Sequence, residues 1–263
     1  MVNGQVSLLA EGKPGWWPPS VHEFFLPGVL YPWITKFTVL AWLAVAIVLV
    51  FFLVGYRNPK MVPGRWQWMA ESVYSFGRDG IGQDIIGPEG VRFAPYIVTL
   101  LTYVGVMNVF GVIPFLQIAP TAHIAFPVSL ALITYVLYVW VGVRRHGFVK
   151  FMKVMTVPPG APGYMLPLLV PLEFLQNFIT RPFTLSVRLF ANMFAGHFIL
   201  LVFVLGGFFL LNFGPVFAKP LSIVAWVLAI AITFLELMVA LLQAYVFAIL
   251  TAVYLQGSLA EEH

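Results

Sequence analysis

Between Pro162 and Asn212 the chain runs almost continuously through apolar residues, broken by Glu173, Arg181, Arg188 and His197. No other feature restricts the fold as much. As one helix this stretch would extend roughly 75 Å, whereas the hydrocarbon core of a bilayer is about 30 Å thick. It cannot stand upright in a membrane. It must break, tilt strongly, or lie along something inside the membrane, and Pro167, Pro171 and Pro182 are the candidate bends. A second apolar segment, Pro220 to Leu255, would run to roughly 54 Å and must also tilt or emerge into water.

Composition makes lipid the main solvent. The chain of 263 residues is 61% hydrophobic and 9% charged, against about 25% charged residues in a soluble globular protein. Too little polar surface exists to cover a water-facing globule. The net charge of +4 therefore does not point to nucleic acid. The basic residues cluster at the edges of apolar segments, where they act as topology determinants. With no cysteine there is neither a disulfide framework nor a thiolate metal site. No phosphate loop, nucleophile triad or zinc-spacing motif is present, so no cofactor and no metal are expected.

The pattern predicts an all-α polytopic membrane protein with about five membrane-crossing helices and one amphipathic surface helix. Residues 1–36 read as a non-spanning extracytoplasmic tail, with Trp16 and Trp17 at headgroup level. Its opening lacks the basic n-region of a cleavable signal, which fits a bacterial plasma membrane. Residues 37–263 form a single transmembrane domain. The first span is Phe37 to Val54, stopped by Arg57, Asn58 and Pro59. In the following segment Trp66, Met69, Val73 and Phe76 recur at three- and four-residue steps with charges between them. That is an amphipathic helix too polar to span, and it is expected on the membrane surface. The second span runs from about Phe93 to Ile118, with Asn108, Pro114 and Gln117 toward its end; the third runs from about Ile124 to Val143. The segments 162–212 and 220–256 complete the set. Arg57, Lys60, Arg65, Arg78 and Arg92 follow the first span, and Arg144, Arg145, Lys150 and Lys153 follow the third. Only Lys13, Lys36 and Lys219 stand on the alternate side. The Lys/Arg bias thus predicts an outer N-terminus and a cytoplasmic C-terminus.

A charge inside lipid is costly, so residues of this kind are functional by default. Arg188 lies several residues from any edge. Arginine stays protonated, so it is a fixed cation, one half of an interhelical salt bridge, or a snorkelling side chain. Arg181, nearer the edge, reads as a snorkelling side chain. Asn192 falls on the face of Arg188, four residues on. Ala195 and Gly196 continue that stripe and would let another helix approach closely, from this chain or another. His197 is nine residues from Arg188. That is about 900° of helical rotation, which puts it on the opposite face. It is either a proton relay, since imidazole titrates near neutral pH, or a satisfied core histidine. Glu236 lies deep in the last apolar segment and needs a partner, a proton or water; His197 is the natural partner. Gln243, seven residues on, shares almost the same face. Glu173 either joins their aqueous pocket or pairs with Arg181. His123 either lines an entrance or is a solvated loop residue.

These residues resemble a known family. The stretch from Leu185 to His197, LSVRLFANMFAGH, is similar to the signature of subunit a of F-type ATP synthases. A second block, Leu242-Gln243-Ala244-Tyr245-Val246-Phe247 with Leu250 to Leu255, resembles another part of that family's pattern. Met107-Asn108, Ile113-Pro114 and Ala119-Pro120-Thr121-Ala122 also look like family features. The resemblance implies a non-catalytic stator subunit that conducts protons through two offset half-channels beside a proteolipid rotor ring, held by peripheral-stalk b-type subunits. It implies that Arg188 is the essential stator cation facing a ring carboxylate, with Asn192 and Gln243 beside it. It further implies that 162–212 and 220–256 face the ring and that Ala195 and Gly196 are ring contacts. Glu236, His197, Glu173 and His123 join Asn192 and Gln243 along the proton path. Bacterial members often carry Glu where this chain has His197, and some of those same members carry His where it has Glu236, an exchange that supports pairing the two. His123 stands where relatives often have Asp or Asn.

Two other readings compete. A secondary transporter would show two related halves with paired broken helices, and the sequence has no such symmetry. An assembly factor without an ion path would not need Arg188, His197 and Glu236 all at lipid depth.

Overall fold

The computed structural model describes residues 35–57, 59–113, 119–157, 165–213 and 216–259. Most of the expected N-terminal tail, with Trp16 and Trp17, lies outside the described residues. So do Asn58, Pro114, Gln117, the start of the long apolar run at 162–164, and the C-terminal 260–263. Among the described residues the regular elements are helical. At lipid depth this is required, because no water satisfies backbone N–H and C=O groups and each segment must bond within itself.

Among the described residues eight α-helices follow one another: α1 Lys36–Gly55, α2 Arg65–Gly77, α3 Ala94–Val109, α4 Ala125–His146, α5 Phe148–Thr156, α6 Leu166–Phe174, α7 Arg181–Phe213 and α8 Lys219–Leu259. Four helical stretches among the described residues are long and apolar enough to cross a membrane: α1, α4, the continuous Leu166–Asn212, and α8. The fifth expected span is shorter than its sequence suggests. Helix α3 has 16 residues, or roughly 24 Å, and ends at Val109. There Asn108 turns inward to hydrogen bonds with other segments, and the chain leaves the helix through turns at 110–112.

The surface helix forms as expected, with an unexpected inner face. Trp66, Met69 and Phe76 are exposed, while Gln67, Ala70 and Gly77 are buried. The apolar stripe therefore faces outward, as suits a helix lying in lipid headgroups. Its inner contact is made by small or amide residues. Gln67 bonds both the N–H and the C=O of Lys60, each at 3.1 Å, and Ala70 packs on Gly55 of α1. Arg145, at the end of α4, pairs with Glu89 in the short turn before α3. The two basic segments thus lie on one side of the molecule, as the Lys/Arg count requires.

The long run departs from regular α-helix where prolines crowd. Pro171 lies inside α6 and Pro182 at the second position of α7. Between them Leu175–Thr180 opens into a wider, π-type turn. Pro182 has no N–H to donate one turn back, which removes an ordinary helical bond there. Helices α7 and α8, of 33 and 41 residues, are roughly 50 and 62 Å long. They pack against each other, against α4, and, through α8, against α3. Large apolar residues stand exposed along α8, among them Leu221, Val227, Phe234 and Met238, as expected of surface in contact with lipid or another protein.

Candidate functional site

Helix α7 presents different chemistry on its two faces. Leu185, Leu189, Met193 and His197 recur at four-residue steps and are buried. Arg188, Ala191 and Ala195 fall on the opposite side and are exposed. The 3.6-residue period places Arg188 and His197 back to back, and the structure agrees. Asn192 flanks the exposed stripe and is half-buried. Ala191 belongs to the stripe although only Ala195 and Gly196 stood out in the sequence. Its signal was there: three residues after Arg188 and four before Ala195, it shares their face.

Gly196 points the other way. A Cβ built on it would lie 3.2 Å from Glu236 Oε1. Its smallness serves the seam between α7 and α8 within this chain. Gly111, just after α3, has a matching role. A Cβ there would lie 2.6 Å from His197 Nε2. Two glycines thus clear the space in which an imidazole and a carboxylate meet.

His197 and Glu236 do meet. Nδ1 of His197 pairs with Oε1 of Glu236, and the two side chains are 6% and 3% exposed. Glu236 Oε2 has no hydrogen-bond partner among the described residues. Next to the pair lies a second buried polar group. Asn108 Nδ2 donates to the Ala240 carbonyl at 3.2 Å, and Thr121 Oγ1 donates to Asn108 Oδ1 at 2.6 Å. One amide thereby joins α3, the 120–122 turn and α8. Asn108 and Thr121 were legible as polar residues in apolar surroundings, but neither stood out from the sequence as a site residue. His123 follows Thr121 and is half-buried between aromatic rings, 5.4 Å from Phe37 and 6.3 Å from Phe126 by ring centroid.

Two cross-contacts fix the register of α7 on α8. His197 meets Glu236 at one level, and at another the Arg181 guanidinium lies 5.2 Å from the Tyr254 ring centroid. Arg181 is therefore stacked on an aromatic face rather than simply extended to the edge. The helices run antiparallel, and Arg188 falls level with about residue 246. Gln243, buried on the Glu236 face, is within about one helical turn of that level. Asn192 is one turn along α7.

Glu173 takes neither of the two places expected for it. It precedes His197 by 24 residues, roughly 36 Å of helix, and its Oε2 accepts a hydrogen bond from Asn177 Nδ2 at 3.3 Å. Asn177 is the centre of a separate cluster. Its Nδ2 also donates to the Met155 carbonyl at 2.5 Å, and Tyr138 Oη donates to the Asn177 carbonyl at 2.8 Å. Helices α4, α5 and α6 are thus joined at the wide turn that leads into α7.

No group of three or more His, Cys, Asp or Glu side chains among the described residues is arranged to hold a metal ion. The site offers a fixed cation on one face and a titratable pair on the other. Such a set can pass and separate charge.

A protein-family model described as ATP synthase A chain matches residues 38–256. The chain is 40% identical over 267 residues to ATP synthase subunit a of Nocardioides sp., covering 97% of this chain and 96% of that one. It is 43% identical over 255 residues to ATP synthase subunit a of Rhodococcus erythropolis, covering 93% and 91%. The same-named protein of Streptomyces lividans is 40% identical over 254 residues, covering 93% and 88%.

Proposed function

This chain belongs to the ATP synthase A chain family, and we propose that it moves protons through two offset half-channels beside a rotor ring, coupling proton-motive force to rotation and ATP synthesis. The observation that carries this reading is the two-faced α7. Arg188 stands exposed with Ala191 and Ala195, and the buried His197–Glu236 pair stands behind it.

A guanidinium at hydrocarbon depth needs an anionic partner. The small residues around Arg188 would let the helix of a ring subunit approach until its carboxylate reached that cation. The ring carboxylate is then ionised beside Arg188, because a fixed positive charge favours the charged form. It takes a proton only after moving out of reach. Arg188 also repels a proton that would cross directly, so the two half-channels stay separate.

Protons would reach the ring from the outer side past His123 and the His197–Glu236 pair. Burial with an unpaired carboxylate oxygen supports a relay role for Glu236, since such a group is stabilised by a proton or water. The second half-channel opens toward the basic side, where Glu173 lies, with Asn192 and Gln243 near the level of Arg188. Each charge that crosses gains about 2.3 kcal/mol per 100 mV, which the ring converts into torque. The chain itself is a conductor and not a catalyst. Its partners are the proteolipid ring, b-type subunits of the peripheral stalk and the bilayer of a bacterial plasma membrane. Its N-terminus is outside and its C-terminus cytoplasmic.

The decisive experiment replaces Arg188 by Ala in the whole complex. ATP-driven proton pumping is expected to vanish while the assembled complex is recovered in normal amount. Full coupled pumping by Arg188→Ala would refute the proposal. Arg188→Lys should restore little, because a buried lysine can lose its proton.

A further inference from the structure

The seam between α1 and α3 holds a groove that proton transfer does not use. Its volume is about 600 Å³, within the range of about 300–1,000 Å³ for small-molecule sites. The long wall is one stripe of α1. Val48, Leu49, Phe52 and Leu53 line it in turn, and Tyr56 and Arg57 close its end on the basic side. Thr99 of α3 completes the lining, and its hydroxyl already donates to the Pro95 carbonyl at 2.7 Å. The groove is therefore apolar for most of its length and polar at one end. Val48 to Arg57 covers roughly 14 Å, about half the thickness of the hydrocarbon core, which is one leaflet. The polar end suits an anion. Arg57 is exposed and forms no ion pair with a described residue. Glu71, the acidic residue of the neighbouring α2, accepts instead from Gln67 Nε2 at 2.7 Å. Lys60 and Arg65 follow in the chain and add positive charge on this side. Tyr56 stacks on Phe52, with centroids 6.4 Å apart, and a half-exposed tyrosine at the end of a span marks the headgroup level of a membrane.

From this arrangement we infer that the α1–α3 groove binds one anionic phospholipid. Its phosphate meets Arg57 beside Tyr56, and an acyl chain runs along Val48, Leu49, Phe52 and Leu53. Charge and length together select this occupant. A guanidinium offers a fork of donors that matches phosphate, and basic residues beside membrane helices recognise anionic headgroups by this chemistry. The apolar wall below adds hydrophobic anchoring over the depth of one leaflet. A free phosphate would leave that wall uncovered, and an apolar helix of a partner would bring no anion to Arg57. Helix α1 packs on α2, α3 and the 120–122 turn. A lipid bound here would fill the gap between α1 and α3 and steady the first span in the bundle. The inference needs α1 to cross a membrane but does not rest on the proton path.

The test uses the intact ATP synthase complex in phosphatidylcholine nanodiscs, with or without phosphatidylglycerol, and mass spectrometry of crosslinked lipid. A photocrosslinking residue replaces Leu53, which is 69% exposed and tolerates the change. In a complex otherwise wild type it should capture phosphatidylglycerol in preference to phosphatidylcholine. Arg57→Gln should lower that preference about 5-fold, the equivalent of about 1 kcal/mol per cation near an anionic surface. Arg57→Lys should keep most of it, which separates lost charge from misfolding. Thr99→Trp should obstruct the groove and reduce capture of both lipids with Arg57 in place. ATP-driven pumping by all these variants should stay near wild type, so failure here and failure of the proton path are told apart. An unchanged preference in the Arg57→Gln complex would overturn the site. So would loss of the lipid crosslink on adding inorganic phosphate alone, or a crosslink from position 53 to a stalk subunit with no lipid.

Discussion

Two buried polar clusters meet the long α6–α7 run, and they differ in kind. One surrounds Asn177 and the other His197, 20 residues further along, or roughly 30 Å of helix, about the thickness of the hydrocarbon core. Arg188 stands between them. At Asn177 the contacts are hydrogen bonds of an amide or a hydroxyl, two of them to backbone carbonyls, and they tie α4 and α5 to the wide turn. At His197 an imidazole meets a carboxylate, and two glycines make room for them. Burial is alike in the two clusters. On the proposed reading the first holds a shape and the second hands on a proton. On that reading the same helix needs an architectural polar group at one level and a chemical one at another.

The largest expected effect breaks the second cluster. Glu236→Ala removes the carboxylate and leaves His197 buried beside a void, and proton pumping by the reconstituted complex should fall close to background. His197→Ala should do nearly the same. The exchange variant, His197→Glu with Glu236→His, keeps one imidazole and one carboxylate in contact and should recover more activity than either single change. A double-mutant cycle on pumping should give a coupling of about 0.5–3 kcal/mol, the range for residues in contact. Strict additivity would mean that the pair does not act as a unit.

A smaller effect comes from the space around the pair. Gly111→Ala would put a Cβ 2.6 Å from His197 Nε2, and overpacking of this kind costs about 1–3 kcal/mol. Because the displaced atom belongs to the proposed relay, pumping should fall more than the yield of complex. Gly196→Ala, with its Cβ 3.2 Å from Glu236 Oε1, should act in the same direction and less. If both variants pump normally, the glycines serve only helix packing.

The first cluster should respond in the opposite way. Asn177→Ala removes the donor to the Met155 carbonyl and to Glu173. Leaving a buried acceptor unpaired costs about 1–3 kcal/mol. Thermal stability and recovered complex should drop, while pumping per assembled complex stays near wild type. A loss of pumping at full assembly would make this cluster chemical too, and the contrast would fail.

What the sequence disclosed follows the same division. Helical period and lipid depth sufficed for α7, because rotation by residue number places Arg188 and His197 on opposite faces without any knowledge of neighbours. The pairing of His197 with Glu236 was legible because two titratable groups at lipid depth have few other partners. Asn108, Asn177 and Gly111 were not legible in those roles. Their importance lies in contacts with segments far along the chain, such as Asn108 with Ala240, and no local period encodes those. Glu173 shows the limit from the other side. Its charge drew attention toward Arg181 or the Glu236 pocket, yet helix length puts His197 out of reach and Asn177 takes its oxygen. The early end of α3 has the same cause, since hydropathy continues past Val109 while Asn108 is already held by other segments.

The smallest expected effect lies outside the membrane and sharpens the comparison by supplying a third, purely surface pair. Glu89 and Arg145 join the turn before α3 to the end of α4. The hydrogen bond from Arg145 is the main cause holding the Glu89 carboxyl below its ordinary value of 4.5, and the positive charges of Arg145 and Arg92 act in the same direction. A carboxyl depressed on folding stabilises the folded state above its unfolded pKa, and that contribution fades as pH falls through the lower folded value. The pair is exposed to water on both sides, and such links contribute little and are screened by salt. Glu89→Gln should therefore leave thermal stability near neutral pH almost unchanged. It should slightly flatten the loss of stability on acidification below pH 4.5, and added salt should erase the difference from wild type. A strong effect of Glu89→Gln at neutral pH would show that this contact fixes α3 against α4 as firmly as Asn177 fixes the wide turn, and burial would then no longer separate architectural links from incidental ones.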